Sequence, residues 1–215
     1  MKKINKDTIL SKEYKTWLDS LDETHPQYNS SNNKHYFDIK MSLLHCQGGL
    51  CAYTEQQLCD EKYIDISQWN DKKYIATLEK DDIEKIQGDL EHFDESLKSE
   101  KAWLWENLFV VLTHANCRIK GTKPIKALLK PDGTNYAEDK YLQFDFDTGV
   151  FFPHPDLSDT EKEDVGYMIS ILGINCISSQ RKKQLSNWKD MYEVGLDVNP
   201  HEYPTAWKMT LKSLN

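Results

Sequence analysis

The chain has 215 residues, of which 39% are hydrophobic and 29% charged, with six Trp, eleven Tyr and seven Phe; that suffices for one well-buried core, excludes a disordered chain, and leaves little room for a second independent core. A formal charge of -8 excludes capture of nucleic acid by the overall field, so any phosphate contact must come from a local cluster of Lys and Arg. No run approaches the roughly 20 apolar residues of a membrane span, and the lysine-bearing start MKKINKDTILSKEYK has no apolar segment behind it, so the expectation is a cytoplasmic protein without a membrane partner.

In chain order, Tyr14, Trp17, Leu18 and Leu21 recur at helical spacing. After the polar loop Asn29-Ser-Ser-Asn-Asn33, a second stripe through Phe37, Met41 and Leu44 predicts another helix, ended by Gln47-Gly-Gly49. A short turn unit from Leu50 to Leu58 follows, and Tyr63-Ile64-Asp65-Ile66 alternates like a brief strand. Residues 86–93 are compatible with a strand that delivers Glu91 and His92 at its end. Leu108-Phe-Val-Val-Leu112 has the composition of a buried second strand, across a loop of about a dozen residues that is long enough to carry function. A short helix is expected at Asn116 and another over Pro124 to Leu129, with proline in the first turn. Tyr141 to Phe146, a turn at Asp147-Thr-Gly149, and Val150-Phe-Phe152 read as a hairpin. Ser158 and Glu161 form a capping-box pattern ahead of Val165, Met168, Ile169 and Leu172, and a last predicted helix runs from about Ser178 to Val194, before Gly195. The sum is an α+β, mainly helical single domain with a helical part at 1–49, a central strand, loop, strand, helix unit at 50–130, and a hairpin with helices at 131–215.

The chemistry-bearing residues concentrate in the centre. Glu79 to Glu100 is strongly acidic, whereas Arg118, Lys120, Lys123, Lys126 and Lys130 follow with no acid among them; Arg181, Lys182 and Lys183 form a second basic cluster. Hydrolysis of a phosphodiester needs a base to take a proton from water, a cation to neutralise developing charge, and anchors for phosphates. His92 suits the base, and Glu91 and Asn116 offer hard oxygen donors for a cation. Asn107 has an amide that could fix the intervening loop, and Arg118 and Lys120 are candidate phosphate anchors. Singly, each has an ordinary reading: His92 as a hydrogen-bonded strand residue, Asn107 in a turn, Asn116 as a helix cap, the basic runs as solvated faces. Their order and spacing together point to a site.

That order resembles an HNH, or ββα-metal, endonuclease, and more narrowly the small HNH proteins associated with retrons and Septu-type antiphage systems. The resemblance rests on CAYTE at Cys51 to Glu55, EHF at Glu91 to Phe93, WENL at Trp105 to Leu108, NCRIKG at Asn116 to Gly121, and ILGIN at Ile171 to Asn175 followed by Arg181, so it spans most of the chain. It implies a ββα-metal core, His92 as general base, Glu91 and Asn116 as ligands of Mg²⁺ or Mn²⁺, and Asn107 as the loop-fixing residue. It also implies DNA, in preference to RNA, as substrate, and an ATPase partner subunit in a defence system.

The chain departs from that pattern twice. Relatives hold a structural zinc with two C-x-x-C pairs; here Thr54 stands where the partner of Cys51 belongs and the second pair is gone, so a Cys₄ site cannot form and no structural zinc is expected. The remaining cysteines, Cys46, Cys59, Cys117 and Cys176, are scattered, which reads as reduced thiols, with an irregular site of Cys51, Cys59 and Cys117 the one alternative. Secondly, counting back from Lys120, the ligand position of the N-x-x-K pattern falls on Cys117 rather than Asn116. One inserted residue reconciles the two, and Asn116 is the ligand by residue type. Two other readings compete with an active nuclease: a catalytically inactive subunit on the same scaffold that binds a partner protein or nucleic acid, and an unrelated α+β binding protein.

Overall fold

The computed structural model describes residues 1–76 and 78–214. Helix α1 (Lys12–Asp19) begins at Ser11, whose hydroxyl accepts from the Tyr14 amide at 3.1 Å, and it buries Tyr14. Helix α2 (Tyr36–Gln47) carries Ile39, Met41, Leu43 and Leu44 into the core and stops at Gly48. Its last side chain, Gln47, behaves like a piece of extra strand. Its amide nitrogen donates to the Val110 carbonyl at 2.8 Å, and its oxygen accepts from the Val110 N–H at 2.9 Å, which locks α2 to the central sheet.

Tyr63 to Ile66 is not a strand, contrary to the alternation of its residues. Glu61–Ile64 forms the short helix α3, and Ile66–Gln68 a single 3₁₀ turn. A strand would send neighbours to opposite faces, but Tyr63 and Ile64 are both buried while Ile66 is exposed, and the Asp65 side chain accepts from the Ser67 amide to start the next turn. Helix α4 (Lys80–Lys85) precedes the sheet.

Strand β1 (Asp89–His92) pairs antiparallel with β2 (Leu108–Val111), Glu91 facing Phe109 and His92 facing Leu108. The extended run starts at Asp89 rather than Ile86 because Gly88 turns the chain at φ +79. Beyond β2, Ala115–Lys120 winds as a π-helix, with the Gly121 amide reaching back five residues to the Asn116 carbonyl at 3.1 Å. Only Ala127–Leu129 of the helix expected from Pro124 forms, as one 3₁₀ turn.

The short helix α5 (Glu138–Tyr141) leads into β3 (Leu142–Asp145), which pairs antiparallel with β4 (Val150–Pro153). Asn175 brackets this hairpin, accepting from the Phe151 amide at 2.9 Å and donating to its carbonyl at 2.8 Å. Helix α6 (Asp159–Ile171) carries the capping box of Ser158 and Glu161 and packs on β4; α7 (Ser178–Glu193) follows it. At the corner between them Gly173 has φ +65, and a Cβ there would lie 2.8 Å from Ile119, so this glycine lets the helical corner seat on the π-helix. Helix α8 (Pro204–Leu214), an amphipathic segment absent from the predicted elements, is tied to the CAYTE turn: Thr205 donates through N and Oγ1 to the buried Glu55 carboxylate at 2.9 and 2.5 Å. One apolar cluster joins all three parts of this α+β fold, from Ile4 and Tyr14 through Phe109 and Val111 to Leu172 and Trp207. Among the described residues no helix is long and apolar enough to cross a membrane.

Candidate functional site

The end of β1, the segment leading to β2 and the π-helix meet at Glu91 and His92. Both residues are buried, and His92 has a defined tautomer. Its Nε2 lies 2.8 Å from the Ala102 carbonyl, an acceptor only, so Nε2 carries the proton and Nδ1 keeps its lone pair. Burial holds the imidazole pKa below its usual value, opposed by that same hydrogen bond, so the ring is neutral at neutral pH. The Tyr28 ring meets it edge-on at 4.9 Å.

Asn107 fixes the chain beside this histidine. Its amide oxygen accepts from the Asp94 N–H at 2.8 Å and its nitrogen donates to the Asp94 carbonyl at 2.9 Å, so one side chain closes the segment that links β1 to β2. The Phe93 amide adds a bond to the Asn107 carbonyl at 2.8 Å.

Glu91 is 2% exposed and both its oxygens are engaged. The Lys120 ammonium stands 2.6 Å from Oε1, and the Tyr53 hydroxyl donates to Oε2 at 2.8 Å. Burial pushes the carboxyl pKa up to about 7, against the opposite pull of Lys120 and Tyr53. Lys120, 0% exposed, also donates to the His92 carbonyl at 2.8 Å. The expectation that Lys120 anchors phosphate from the surface is therefore corrected: its long side chain runs inward from the π-helix and its charge is neutralised by Glu91. Arg118 is exposed and Asn116 half-buried on the same wide turn, and among the described residues no hydrogen bond or ion pair joins either side chain to Glu91 or His92.

The π-helix bears on the register of the motif. A π-turn holds one residue more than an α-turn between successive bonds, which is what an insertion between Asn116 and Lys120 requires. It leaves Cys117 exposed and Lys120 inside.

Among the described residues, no three His, Cys, Asp or Glu side chains group as metal ligands. As arranged, Glu91 is matched to an ammonium, and a divalent ion held by Glu91 and Asn116 does not fit while Lys120 occupies the carboxylate. Where zinc ligation would place a thiolate pair, the Cys51 sulfur instead accepts from the Thr54 amide at 3.4 Å and the Leu112 amide at 3.3 Å, tying the CAYTE turn to the end of β2. Cys59 is buried and Cys117 exposed, and all five thiols are free.

Three participants were not read from the sequence. Tyr53 lies inside CAYTE and could have been found there; the Ala102 carbonyl and the Tyr28 ring carry no local signal. No family model matches the chain, and no curated protein matches it.

Proposed function

We propose that the chain is an HNH-type phosphodiesterase acting on nucleic acid, DNA in preference to RNA, in which His92 is the general base. The observation that carries this reading is the imidazole at the end of β1, neutral and held by a main-chain carbonyl so that Nδ1 faces away with its lone pair free to take a proton from water. Asn107 positions the segment that holds it. Arg118, exposed on the π-helix, is left as the anchor for a flanking phosphate. The Lys120 ammonium and the Glu91 carboxylate are matched to each other, so neither that ammonium nor Mg²⁺ or Mn²⁺ takes a step in this reading. The resemblance to antiphage nucleases suggests an effector restrained by an ATPase subunit.

A second reading, a non-catalytic scaffold that binds a partner or nucleic acid, draws on one observation: Glu91 and Lys120 are both closed off from solvent by their mutual pair. Incubating supercoiled plasmid with the purified chain, in Mg²⁺, in Mn²⁺ and in EDTA, alone and with the product of the neighbouring gene, separates the two. The nuclease reading expects nicking or linearisation that disappears in His92→Ala; intact plasmid under every condition supports the scaffold.

A further inference from the structure

Next to the candidate site lies a cavity of about 340 Å³, within the range of small-ligand sites. Its lining includes Trp17, Trp103 and His35 together with Asn33 and the exposed Asn32 and Lys34. His35 stacks on Trp17 with ring centres 5.1 Å apart and planes 30° from parallel. His35 is 4% exposed, and its Nε2 is buried without a hydrogen-bond partner. A buried polar atom in that state is open to an ordered water or to a polar group of a ligand.

The same wall has a second side. Trp17, Lys34 and His35 also line an adjoining depression of about 810 Å³, whose lining includes Lys12 and Lys72 as well as the carboxylates of Glu13 and Asp71. A stacked aromatic pair between two depressions, with a lysine lining both, matches a chain of alternating planar rings and anions. Trp103 also follows Ala102, whose carbonyl orients His92, and Tyr28 stacks on Trp103 at 5.0 Å while meeting His92 edge-on. One aromatic ring therefore separates the cavity wall from the imidazole.

We propose that this cavity seats an unstacked nucleobase, so that the chain grips single-stranded nucleic acid in preference to intact duplex. The identity of the ligand rests on the nucleic-acid reading above. The base lies against the Trp17 side of the wall, the carboxamides of Asn32 and Asn33 meet its polar edge, and Lys34 holds the adjacent phosphate. Paired bases in a duplex are stacked on both faces and enter such a seat only after being extruded.

The test is fluorescence anisotropy with a fluorescein-labelled 12-mer single strand of DNA and the corresponding blunt duplex, in EDTA, with a gel showing the strands uncut. The expected result is single-strand binding at least about 10-fold tighter than duplex binding, weakened about 10-fold by Trp17→Leu, with duplex binding unchanged. Lys34→Glu, an exposed substitution that spares the fold, should weaken the single strand similarly. Equal affinity for both forms, no binding of the single strand, or wild-type affinity in both variants would overturn the proposal. Single-strand binding that persists in a protein unable to cut plasmid would remove the nuclease reading and leave the base seat standing.

Discussion

At the residue scale, the Glu91 and Lys120 pair is the most consequential contact near the candidate base. Both side chains are buried, so neither charge can fall back on water if its partner is removed. Lys120→Met removes the strongest pull that keeps the Glu91 carboxyl ionised, so the buried acid takes up a proton at neutral pH, and the loss of the pair should cost about 3–5 kcal/mol of folding free energy. The double variant Glu91→Gln, Lys120→Met removes both charges and should recover much of that loss. Urea denaturation of the wild type, the two single variants and the double variant measures the coupling; simple additivity would show that the pair contributes nothing beyond its separate members.

At the element scale, the π-helix at Ala115–Lys120 holds one residue more than an α-helical path needs. Deleting Cys117, whose side chain is exposed, should let the turn close to α geometry with Lys120 still inside. The expected result is a folded protein whose Tm does not fall, the opposite of what a deletion inside an ordinary helix produces; a steep loss of helical circular dichroism would refute it. Strand β2 was readable because its signal is local, an apolar run rich in β-branched and aromatic residues, whereas β1, Asp-Leu-Glu-His, has no such run and begins three residues after the predicted start at Ile86. Asn107 was likewise readable as the residue that fixes its loop. The inward turn of Lys120 was not, since a basic run looks like a solvated face until its partner, 29 positions earlier, is brought beside it. Tyr63 to Ile66 misled because alternation over four residues cannot distinguish a strand from two short turns once Tyr63 and Ile64 share the core. Helix α8 has a local signal that the predicted elements omit, with Ala206, Trp207 and Thr210 on its buried face; only its docking on Glu55, 150 positions before Thr205, lies beyond local spacing.

At the scale of the whole molecule, Lys6 joins the three parts of the chain. Its buried ammonium donates to the Trp105 and Leu108 carbonyls at 2.5 and 2.8 Å and pairs with Asp132 at 3.3 Å. Burial lowers its pKa to about 8, with Asp132 acting in the opposite direction. The unfolded chain, with a lysine pKa near its ordinary 10.5, therefore binds this proton more tightly than the folded one. The contribution of Lys6 to stability is complete above that ordinary value and is lost as pH falls through about 8. Wild-type stability, taken relative to Lys6→Met, should thus climb from pH 8 to 10.5. Chemical denaturation at successive pH values checks this, and a flat or falling difference would contradict it.

The group that orients His92 belongs to the main chain, at Ala102. Point mutation cannot erase a carbonyl, so replacing Ala102 by Gly or Ser leaves the imidazole aimed as before. What a lineage would have to alter is the path of the polypeptide, by gaining or losing a residue between Asp94 and Trp105. The orientation of the base is thereby sheltered from the commonest kind of genetic drift and exposed to the rarer kind.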